Sequence, residues 1–461
     1  MISELATQDQ TGDSSASEPQ QAALLILREG GRVLARPRFQ RLRYGFSVGR
    51  GAPELTADRW QVDDVLVSRK HALVALGEDG WALTDLGSRN GSVVASQLIR
   101  GTAVPLVPGT VLCFGGHVAV FQLLSDSEAS LIESDGGVLV GPVKTCSPAL
   151  MAVAARIRLL APTPGSILLS GETGTGKEIA ARMVHDLSRR RGPFVAVNCA
   201  SISRDLFESE LFGYRRGSHS QAKEDHPGLI ASAAGGTLFL DEIGETSGAV
   251  QAKLLRFLQD KQILGLGQTT ARTVDVRVIA ATQNPFETLR QDVIGRFGAE
   301  PLLLPLLRHR REDLGALCAH FLATTKGTME IDAQAFVAMC IHTWPRNVRE
   351  LEAVVSEADL RAKSRGKQGI GLDDLTIDLR RAFATLRPPA QAATAASAAR
   401  APAATEREKA PRRARPGREE LAQMLRESRG DVPAIARLLN RHRELVWRWC
   451  KEASLDPAKF R

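Results

Sequence analysis

No apolar run in this 461-residue sequence is long enough to cross a membrane as a helix. A spanning helix needs about 20 consecutive apolar residues, and the densest run here, residues 302–307, is short and contains Pro305. The N-terminal stretch is polar and lacks a signal-peptide pattern. We therefore expect a cytoplasmic protein that makes no membrane contact.

Closely spaced cysteines are absent as well. The sequence has no Cys-x-x-Cys pair and no cluster of histidines, which argues against a zinc site or a disulfide framework. The six cysteines stand far apart, at positions 113, 146, 199, 318, 340 and 450. They are most simply interpreted as buried thiols of a protein in a reducing compartment.

A strong excess of one charge is also missing from the chain as a whole, whose formal net charge is +8. The excess lies mainly at the end, because from Thr405 onward there are 15 Lys and Arg against 9 Asp and Glu. A basic C-terminal segment indicates contact with nucleic acid. A solvated basic tail explains the composition equally well.

The first 125 residues change character near position 22. Residues 1–21 are rich in Ser, Gln and Asp, a composition that predicts disorder. Residues 22–125 consist of short alternating runs separated by Gly, such as 44–49 and 111–115. This spacing predicts an all-β sandwich.

Three polar clusters follow strands of this region. They are Gly49-Arg50, Ser68-Arg69-Lys70-His71 and Gly87-Ser88-Arg89-Asn90-Gly91. Arg and hydroxyl donors on loops suit a phosphothreonine, which carries about −2 charge and three acceptor oxygens. The clusters, in this order and spacing, resemble those of the forkhead-associated (FHA) domain over residues 24–123. A sandwich with ordinary turn residues is the alternative.

The FHA resemblance implies a binding site for a phosphothreonine peptide. The implied binding residues are Arg50 and Ser68 for the phosphate, Arg69 and Arg89 to complete the pocket, and Asn90 for the peptide backbone. His71 is expected to be structural. The position of Arg89 often carries Thr in this family.

Residues 126–140 are acidic, contain Gly and Ser, and predict a linker. Residues 141–305 then predict an α/β region that begins with a short buried strand, a Gly-rich loop and a helix. Backbone N–H groups of such a loop wrap phosphates, while its lysine and the helix N-terminus add positive charge. The loop residues expected to bind ATP are Gly171, Glu172, Thr173, Gly174, Thr175, Gly176, Lys177 and Glu178.

A later apolar strand ends in Asp241-Glu242. After a phosphate loop, a first carboxylate organises Mg²⁺ and a second orients the attacking water. Further strands at 193–198 and 274–281 alternate with helical segments, which predicts a parallel sheet with the nucleotide at its carboxyl edge. We therefore expect an ATPase, with Asp241 supporting Mg²⁺ partly through water and Glu242 as a catalytic residue.

These motifs resemble the AAA+ domain of the bacterial enhancer-binding proteins, which activate sigma-54 RNA polymerase. The matching segments include Ser147-Pro148, the phosphate loop, Asn198-Cys199-Ala200, residues 210–213, residues 235–244 and residues 344–351. This family also has Glu after the loop lysine, where many phosphate loops carry Ser or Thr.

The AAA+ resemblance implies further roles. Asn198 holds Glu242 in check, Arg290 and Arg296 reach into the site of a neighbouring subunit, and Arg349 senses the nucleotide from the lid. An arginine supplied in trans stabilises charge on the phosphates, so hydrolysis depends on a homo-oligomeric ring, expected to be a hexamer when active. Without the resemblance, each of these arginines would be interpreted as a surface charge.

Two segments depart from the family pattern. The family's sigma-54-contacting loop, written GAFTGA, is here Gly217, Ser218, His219, Ser220, Gln221 and Ala222. An imidazole offers less contact area than the usual aromatic ring, and Gln221 replaces a flexible glycine. In addition, Gln283 stands where the family has Asn, with Asn284 beside it, and the segment from there to Arg290 is short.

The remaining chain divides into three parts. Residues 306–382 predict the helical lid of the ATPase, and residues 383–416 form an Ala/Pro/Arg-rich flexible linker. Residues 417–461 predict a helix-turn-helix that resembles the Fis-type domain of these activators, with a three-helix oligomerisation module as the alternative. Its last helix is expected to enter the major groove of double-stranded DNA. The expected DNA contacts are Arg441, Arg443, Glu444, Arg448 and Lys451.

The sequence thus predicts a multidomain fold: an all-β FHA sandwich, an α/β AAA+ ATPase with a helical lid, and an all-α helix-turn-helix. The expected function is ATP-dependent regulation of transcription by sigma-54 RNA polymerase, gated by a phosphothreonine protein. Two alternatives remain. One is a DNA-binding regulator or repressor whose altered loop no longer engages sigma-54. The other is a general AAA+ machine that remodels a protein substrate.

Overall fold

The computed structural model describes residues 20–218, 224–298, 300–325, 330–386, 418–428, 450, 453 and 455. The chain forms two compact units, one ending at Ala393 and one beginning at Thr394. The first unit contains the sandwich, the α/β subdomain and the lid.

Twelve strands between residues 21 and 124 form the predicted sandwich. They are β1 (Gln21–Glu29), β2 (Arg32–Arg41), β3 (Gly45–Arg50), β4 (Glu54–Leu55), β5 (Arg59–Val62), β6 (Ala72–Gly77), β7 (Gly80–Asp85), β8 (Ser92–Val94), β9 (Gln97–Ile99), β10 (Ala103–Pro105), β11 (Thr110–Phe114) and β12 (His117–Leu124). The first sheet has the order β2-β1-β12-β11-β8-β9, and the second has the order β10-β7-β6-β3-β5-β4.

The core between the two sheets follows from the alternation of side chains along each strand. Leu24 and Ile26 of β1, Phe46 of β3 and Trp60 of β5 are buried there. The Trp60 ring meets Phe114 edge to face at 6.3 Å between centroids. Aromatic rings of this size supply much of the apolar area that a small sandwich buries.

The first sheet is also buried on its opposite face, which a free-standing sandwich does not require. Every residue of β1 from Ala22 to Arg28 is buried. The second face carries two apolar groups, one packed against the lid and the other against the start of the α/β subdomain. The sheet is therefore an internal layer of the first unit.

The segment predicted as a linker between residues 126 and 140 is structured. It forms helix α1 (Asp126–Asp135) and strand β13 (Val138–Val140), which pairs with β14 (Val143–Thr145). Ser125 and Glu128 form a capping box at the start of α1, which satisfies two backbone N–H groups reciprocally. The helix buries Ala129 and Ile132.

The α/β subdomain has the predicted parallel sheet. Its five strands, β15 (Ile167–Ser170), β16 (Phe194–Asn198), β17 (Thr237–Asp241), β20 (Arg277–Thr282) and β21 (Leu302–Leu303), have the order β16-β17-β20-β15-β21. The short strands β18 (Gln262–Ile263) and β19 (Arg272–Thr273) form a separate hairpin. Its helices are α2 (Pro148–Leu160), α3 (Lys177–Leu187), α4 (Arg204–Phe212), α5 (Leu229–Ser232), α6 (Gly248–Asp260), α7 (Pro285–Thr288) and α8 (Gln291–Ile294).

The lid is helical, as predicted. Its helices are α9 (Leu314–Thr324), α10 (Ala333–Ile341), α11 (Asn347–Ser364) and α12 (Ile377–Ala384). In the second unit, α13 (Arg418–Glu427) buries Leu421 and Leu425. Within the described ranges, no helix combines the length and apolar character needed to span a membrane.

Candidate functional sites

The phosphate loop connects β15 to α3. Lys177, the first residue of α3, is 7% exposed, and its Nζ donates to the carbonyl oxygens of Gly171 at 2.8 Å and Glu172 at 3.3 Å. Burial lowers the pKa of Lys177, while Asp241 and Glu242 act to raise it. The lysine is therefore held inside the loop, within the electrostatic reach of two carboxylates.

The lid closes directly over this loop. Gly174 has a φ of +79°, and a Cβ there would overlap the carbonyl group of Arg346 and lie 3.1 Å from the Cβ of Arg349. The backbone N–H of Val348 donates to the Gly174 oxygen at 3.0 Å. Only glycine combines this conformation with so close an approach. The first turn of α11, with Arg349, thus lies beside the loop.

Three further side chains hold the loop, and sequence reasoning did not assign them. Asn347, which is fully buried, donates to Glu172 Oε2 at 3.2 Å. Arg308 pairs with the other Glu172 oxygen at 3.3 Å, and Arg310 donates to the Thr175 carbonyl at 2.9 Å. The sequence did contain a signal for these side chains. Asn347 lies in residues 344–351, which resemble the family, and both arginines lie in the charged stretch 308–313. The sequence does not reveal their partners, which are more than 130 residues away.

The acidic pair stands at the end of β17. Asp241 is in register with Asn198, the last residue of β16, and its Oδ1 accepts the N–H of Glu242 at 3.0 Å. Glu242 has a left-handed φ of +55°. Mg²⁺ is commonly bound by one or two carboxylates together with substrate phosphates. Asp241 stands beside a phosphate loop and so fits this mode of binding, which does not require three or more ligating side chains. The described residues contain no cluster of that size.

A polar cavity of about 560 Å³ opens beside Glu242 and is also lined by Gln283 and Asn284. Gln283 donates to Thr173 Oγ1 of the phosphate loop at 2.8 Å. Asn284 instead donates to Glu287 at 3.1 Å. Gln283 is therefore the side chain of the two that reaches the loop.

A second cavity, of about 830 Å³, lies between the α/β subdomain and the lid next to Gly176. Its lining is mainly apolar and includes Val140, Ile179, Leu304, Leu317, Phe321 and Val348. An apolar slot beside a phosphate loop has the chemical character of a site for a nucleotide base. The two cavities and the loop between them fit the base and phosphates of ATP.

Two predicted residues have local partners. Asn198 accepts the N–H of Ala200 at 2.9 Å and so caps the following turn. Glu178 is exposed and pairs with Arg182 one helical turn later, at 2.8 Å.

The two predicted trans arginines lie on the surface. Arg290 precedes α8 and pairs with Asp292, through contacts of 3.1 and 2.6 Å. Arg296 is exposed. The loop, Asp241, Glu242 and Arg349 are thus brought together in one chain, whereas Arg290 and Arg296 face solvent.

The candidate phosphopeptide pocket is formed by three loops of the sandwich. The N–H of Arg50, at the end of β3, donates to the Ser68 carbonyl at 2.9 Å. Ser68 Oγ accepts the N–H of Arg89 at 3.0 Å, and Asn90 donates to the Leu66 carbonyl at 2.8 Å. Arg69, Arg89 and Asn90 are exposed. The structure therefore brings the five predicted residues to the same end of the sandwich.

His71 is structural, as predicted. It is fully buried, its Nδ1 accepts the N–H of Ser68 at 3.0 Å, and its Nε2 lies 3.2 Å from the Gly91 carbonyl. With Nδ1 accepting, Nε2 carries the proton and donates to Gly91. Burial lowers the pKa of His71, which favours this neutral form.

Sequence reasoning missed Asp85 as the organiser of the third loop. This buried carboxylate accepts the N–H groups of Gly87, Ser88 and Gly101 and the hydroxyls of Ser88 and Ser92, at 2.7 to 3.0 Å. Burial opposes its ionisation, yet the hydrogen bonds from Gly101, Ser88 and Ser92 outweigh it and lower the pKa of Asp85. The signal was the Asp-x-Gly-Ser spacing, typical of a side chain that caps its own turn.

Several predicted residues lie outside the described part of the chain. They are His219, Ser220, Gln221 and Ala222 of the surface loop, and Arg441, Arg443, Glu444, Arg448 and Lys451 of the C-terminal segment. Of the surface loop, Gly217 and Ser218 are described, and the Ser218 N–H donates to the Arg215 carbonyl at 3.1 Å.

Three segments match known domain families. Residues 46–115 match the FHA domain, residues 143–297 match the sigma-54 interaction domain, and residues 308–391 match the AAA+ ATPase lid domain. These matches agree with the sandwich, the α/β subdomain and the lid of the structure.

Several curated relatives resemble the ATPase region. The chain is 43% identical over 245 residues to the nitric oxide reductase transcription regulator NorR1 of Cupriavidus necator, covering 50% of this chain and 47% of that protein. It is 41% identical over 230 residues to the regulatory protein AtoC of Escherichia coli, covering 47% and 50%. The chain spans about half the length of the curated relatives it matches.

Among solved structures, NtrX from Brucella abortus in complex with ATP is 28% identical, with 68% of this chain and 70% of that chain covered and a TM-score of 0.46. This chain therefore combines an FHA domain with a sigma-54 interaction domain and an AAA+ lid domain, and its ATPase region is similar to those of the regulators NorR1 and AtoC.

Proposed function

We propose that the protein is a cytoplasmic, ATP-driven regulator of transcription by sigma-54 RNA polymerase, gated by a phosphothreonine protein bound at the FHA pocket. The observation that carries this proposal is the phosphate loop, in which buried Lys177 lies near Asp241 and Glu242 under the first turn of lid helix α11. The FHA pocket belongs to the same compact unit.

Each residue of the nucleotide site has a distinct task in this proposal. The loop backbone and Lys177 hold the phosphates, Asp241 holds Mg²⁺, and Glu242 orients the attacking water. When bound, Mg²⁺ neutralises charge that develops on the phosphates. Arg349, whose Cβ lies against the loop, reports the state of the nucleotide to the lid. Asn198 restrains Glu242 from the neighbouring strand.

Hydrolysis requires a ring in this proposal. Arg290 and Arg296 are exposed on the chain that supplies them, and we assign them to the site of the adjacent subunit in a hexamer. An arginine supplied in trans makes the specific ATPase rate depend on protein concentration. The C-terminal segment that the sequence predicts to be a helix-turn-helix, with Arg441, Arg443, Glu444, Arg448 and Lys451, is assigned to double-stranded DNA.

The test is reconstituted transcription from a promoter that carries the binding site of this protein. With sigma-54 polymerase, ATP and a phosphothreonine peptide library, we expect transcripts that disappear when ATP is replaced by a non-hydrolysable analogue. The unphosphorylated library is the control for gating. Absence of transcripts with an active ATPase would remove the activator function.

One observation favours a second candidate, a DNA-bound regulator or repressor that does not engage sigma-54. The contact loop carries His219, Ser220 and Gln221 in place of the aromatic, threonine and glycine of the family pattern. A pull-down of sigma-54 with an ATP transition-state analogue separates the two candidates. Binding supports the activator, and no binding supports the repressor.

A further inference from the structure

The outer face of the first sheet of the sandwich docks on the lid. We call this surface the docking face and define it by six buried residues: Leu27, Val33, Val111, Cys113, Val118 and Val120. They share one hydrophobic cluster with lid residues that include Leu314, Cys318 and Phe336. A Cβ on Gly315 of α9 would overlap the backbone oxygen of Leu34 in β2, so the helix and the strand are in backbone contact.

Polar contacts accompany this packing. Arg28, only 6% exposed, donates to the Ile331 carbonyl of the lid at 3.4 Å and also to the Gly116 carbonyl. Gln122 of β12 donates to the fully buried Glu312 at 3.2 Å. Buried polar groups with dedicated partners fix the orientation of two surfaces, because leaving them unpaired costs free energy. The docking is therefore specific in orientation.

The same sheet also packs against the α/β subdomain. Ala23 and Leu25 of β1 are buried in a cluster with Ile132 of α1 and with Met151 and Ala154 of α2. The FHA domain thus contacts the lid at one end of this face and the α/β subdomain at the other. It spans the two parts of the ATPase between which the 830 Å³ cavity lies.

The lid elements under the docking face are the ones that meet the nucleotide site. Helix α9 lines the cavity with Leu317 and Phe321. Arg310, four residues before α9, donates to the Thr175 carbonyl of the phosphate loop. Asp313, immediately before α9, accepts the Thr145 hydroxyl at 2.7 Å. A restraint on α9 is therefore a restraint on the nucleotide cavity.

The phosphopeptide loop is joined to the same interface. Asp64, four residues before Ser68, accepts the N–H of Gly116 at 2.8 Å in the turn between β11 and β12. Gly116 lies beside Arg28, and a Cβ on it would lie 3.6 Å from the Cβ of Ala333 in lid helix α10. The loop that carries Ser68 and the lid are thus separated by one turn of chain.

We propose that the docked FHA domain is an intramolecular brace that holds the lid against the α/β subdomain and slows nucleotide exchange and ATP turnover. The cavity walls come from both subdomains, so separation of these walls widens the path by which a nucleotide enters or leaves. Separation must break one of the two FHA contacts. The proposal rests on the proposed ATPase function and names the surface through which the peptide loop can control it.

The test is a reversible cross-link between Gly116→Cys and Ala333→Cys. The 3.6 Å between their Cβ positions lies within the range of about 3.5–4.5 Å found in disulfides. All six native cysteines are buried, and burial raises the pKa of Cys113 and of Cys318 to about 12. Thiols so rarely ionised react slowly with oxidants. The two single variants, taken through the same oxidation and reduction, are the controls.

In the full-length double variant we expect an intramolecular disulfide after mild oxidation. Release of fluorescent mant-ADP and the rate of MgATP hydrolysis should each fall at least about fivefold and recover with dithiothreitol, because a locked lid cannot separate from the α/β subdomain. If no intramolecular disulfide forms, the docking itself is wrong. If it forms and the oxidised and reduced rates are equal, the brace is wrong.

A phosphothreonine peptide library separates this proposal from the proposed gating. With the disulfide closed, the library should leave the ATPase rate unchanged, whereas with it open the library should change that rate. If oxidation slows the rates and the library has no effect on the reduced protein, the result supports the brace and contradicts phosphothreonine gating. If the reduced double variant and the wild-type chain both lack ATPase activity, the proposed function falls.

Discussion

The phosphate loop and the FHA pocket both suit phosphate groups, and the chain builds them from different material. The phosphate loop offers backbone N–H groups and one buried lysine, and lid residues Arg308, Arg310 and Asn347 hold its backbone and Glu172. The FHA pocket offers exposed arginines and a hydroxyl on three separate loops, which Asp85 and His71 hold from below. The phosphate loop is formed by consecutive residues, whereas the FHA pocket is formed by three loops that are separated in the sequence.

This difference determines how each site can fail. Removing the lysine from the phosphate loop leaves the loop closed by backbone contacts but without its central charge. Removing an FHA arginine leaves a pocket that is intact in shape and weaker in charge, since Ser68 and Asn90 keep their own backbone partners. Variants of the two sites should therefore lose function to different extents, and the lysine variant should lose the most.

Replacing Lys177 by Ala is expected to reduce the rate of ATP hydrolysis at least about 100-fold, because the buried positive charge beside the phosphates is lost. Phosphate release from MgATP measures this. Phosphothreonine peptide affinity should be unchanged. A variant with near-normal hydrolysis would show that the loop does not hold the phosphates.

Replacing Arg50 by Ala should weaken phosphothreonine peptide binding by about 10- to 100-fold, the usual effect of one charge-assisted hydrogen bond of about 1.5–3 kcal/mol. Fluorescence anisotropy with a labelled phosphothreonine library gives the affinity, and ATP binding serves as the internal reference. Arg59→Ala is the matched control, because Arg59 is exposed in β5 and pairs with Glu54 at 3.1 Å. Equal affinity of Arg50→Ala and the wild-type chain would contradict the FHA assignment.

The smallest effect concerns pH. Burial, with a contribution from Asp313, raises the pKa of Glu312 to about 8, above its usual 4.5. The folded chain therefore keeps a proton that the unfolded chain gives up, so this group stabilises the fold fully below pH 4.5 and loses that effect as the pH rises to about 8. Thermal unfolding at pH 6 and pH 9 measures the loss.

The Glu312→Gln variant should show a smaller fall in unfolding temperature between pH 6 and pH 9 than the wild-type chain, since its neutral amide does not titrate. Glu133→Gln, on the exposed face of α1, provides the comparison. Parallel curves for Glu312→Gln and the wild-type chain would mean that Glu312 is already ionised near neutral pH.

The contrast between the two sites also explains what the sequence could predict. The phosphate loop is eight consecutive residues, and its strand-loop-helix arrangement depends on local periodicity and glycine. The FHA residues were found through their spacing, and the organising role of Asp85 was missed because its four partner residues include Gly101, 16 residues away. Helix α1 was predicted as a linker, although Ser125 and Glu128 have the spacing of a capping box.

Contacts between domains were beyond sequence reasoning. Arg310 meets Thr175 across 135 residues, and Gln122 meets Glu312 across 190. The docking face did leave a signal, although the sequence does not show which part of the chain covers it. Residues 22–27 of β1, 111–114 of β11 and 118–121 of β12 are apolar without alternation, a pattern typical of a strand covered on both sides.

Strand β1 has a consequence for how this protein can be divided. Its two faces belong to different cores, the inner face to the sandwich and the outer face to the ATPase. A fragment ending at Leu124 would expose the docking face to water, and an apolar surface of that kind favours self-association. The FHA region therefore cannot be exchanged for another FHA domain that lacks this docking face. Where the chain is cut or recombined, the sandwich and the lid must be inherited together or their shared surface redesigned.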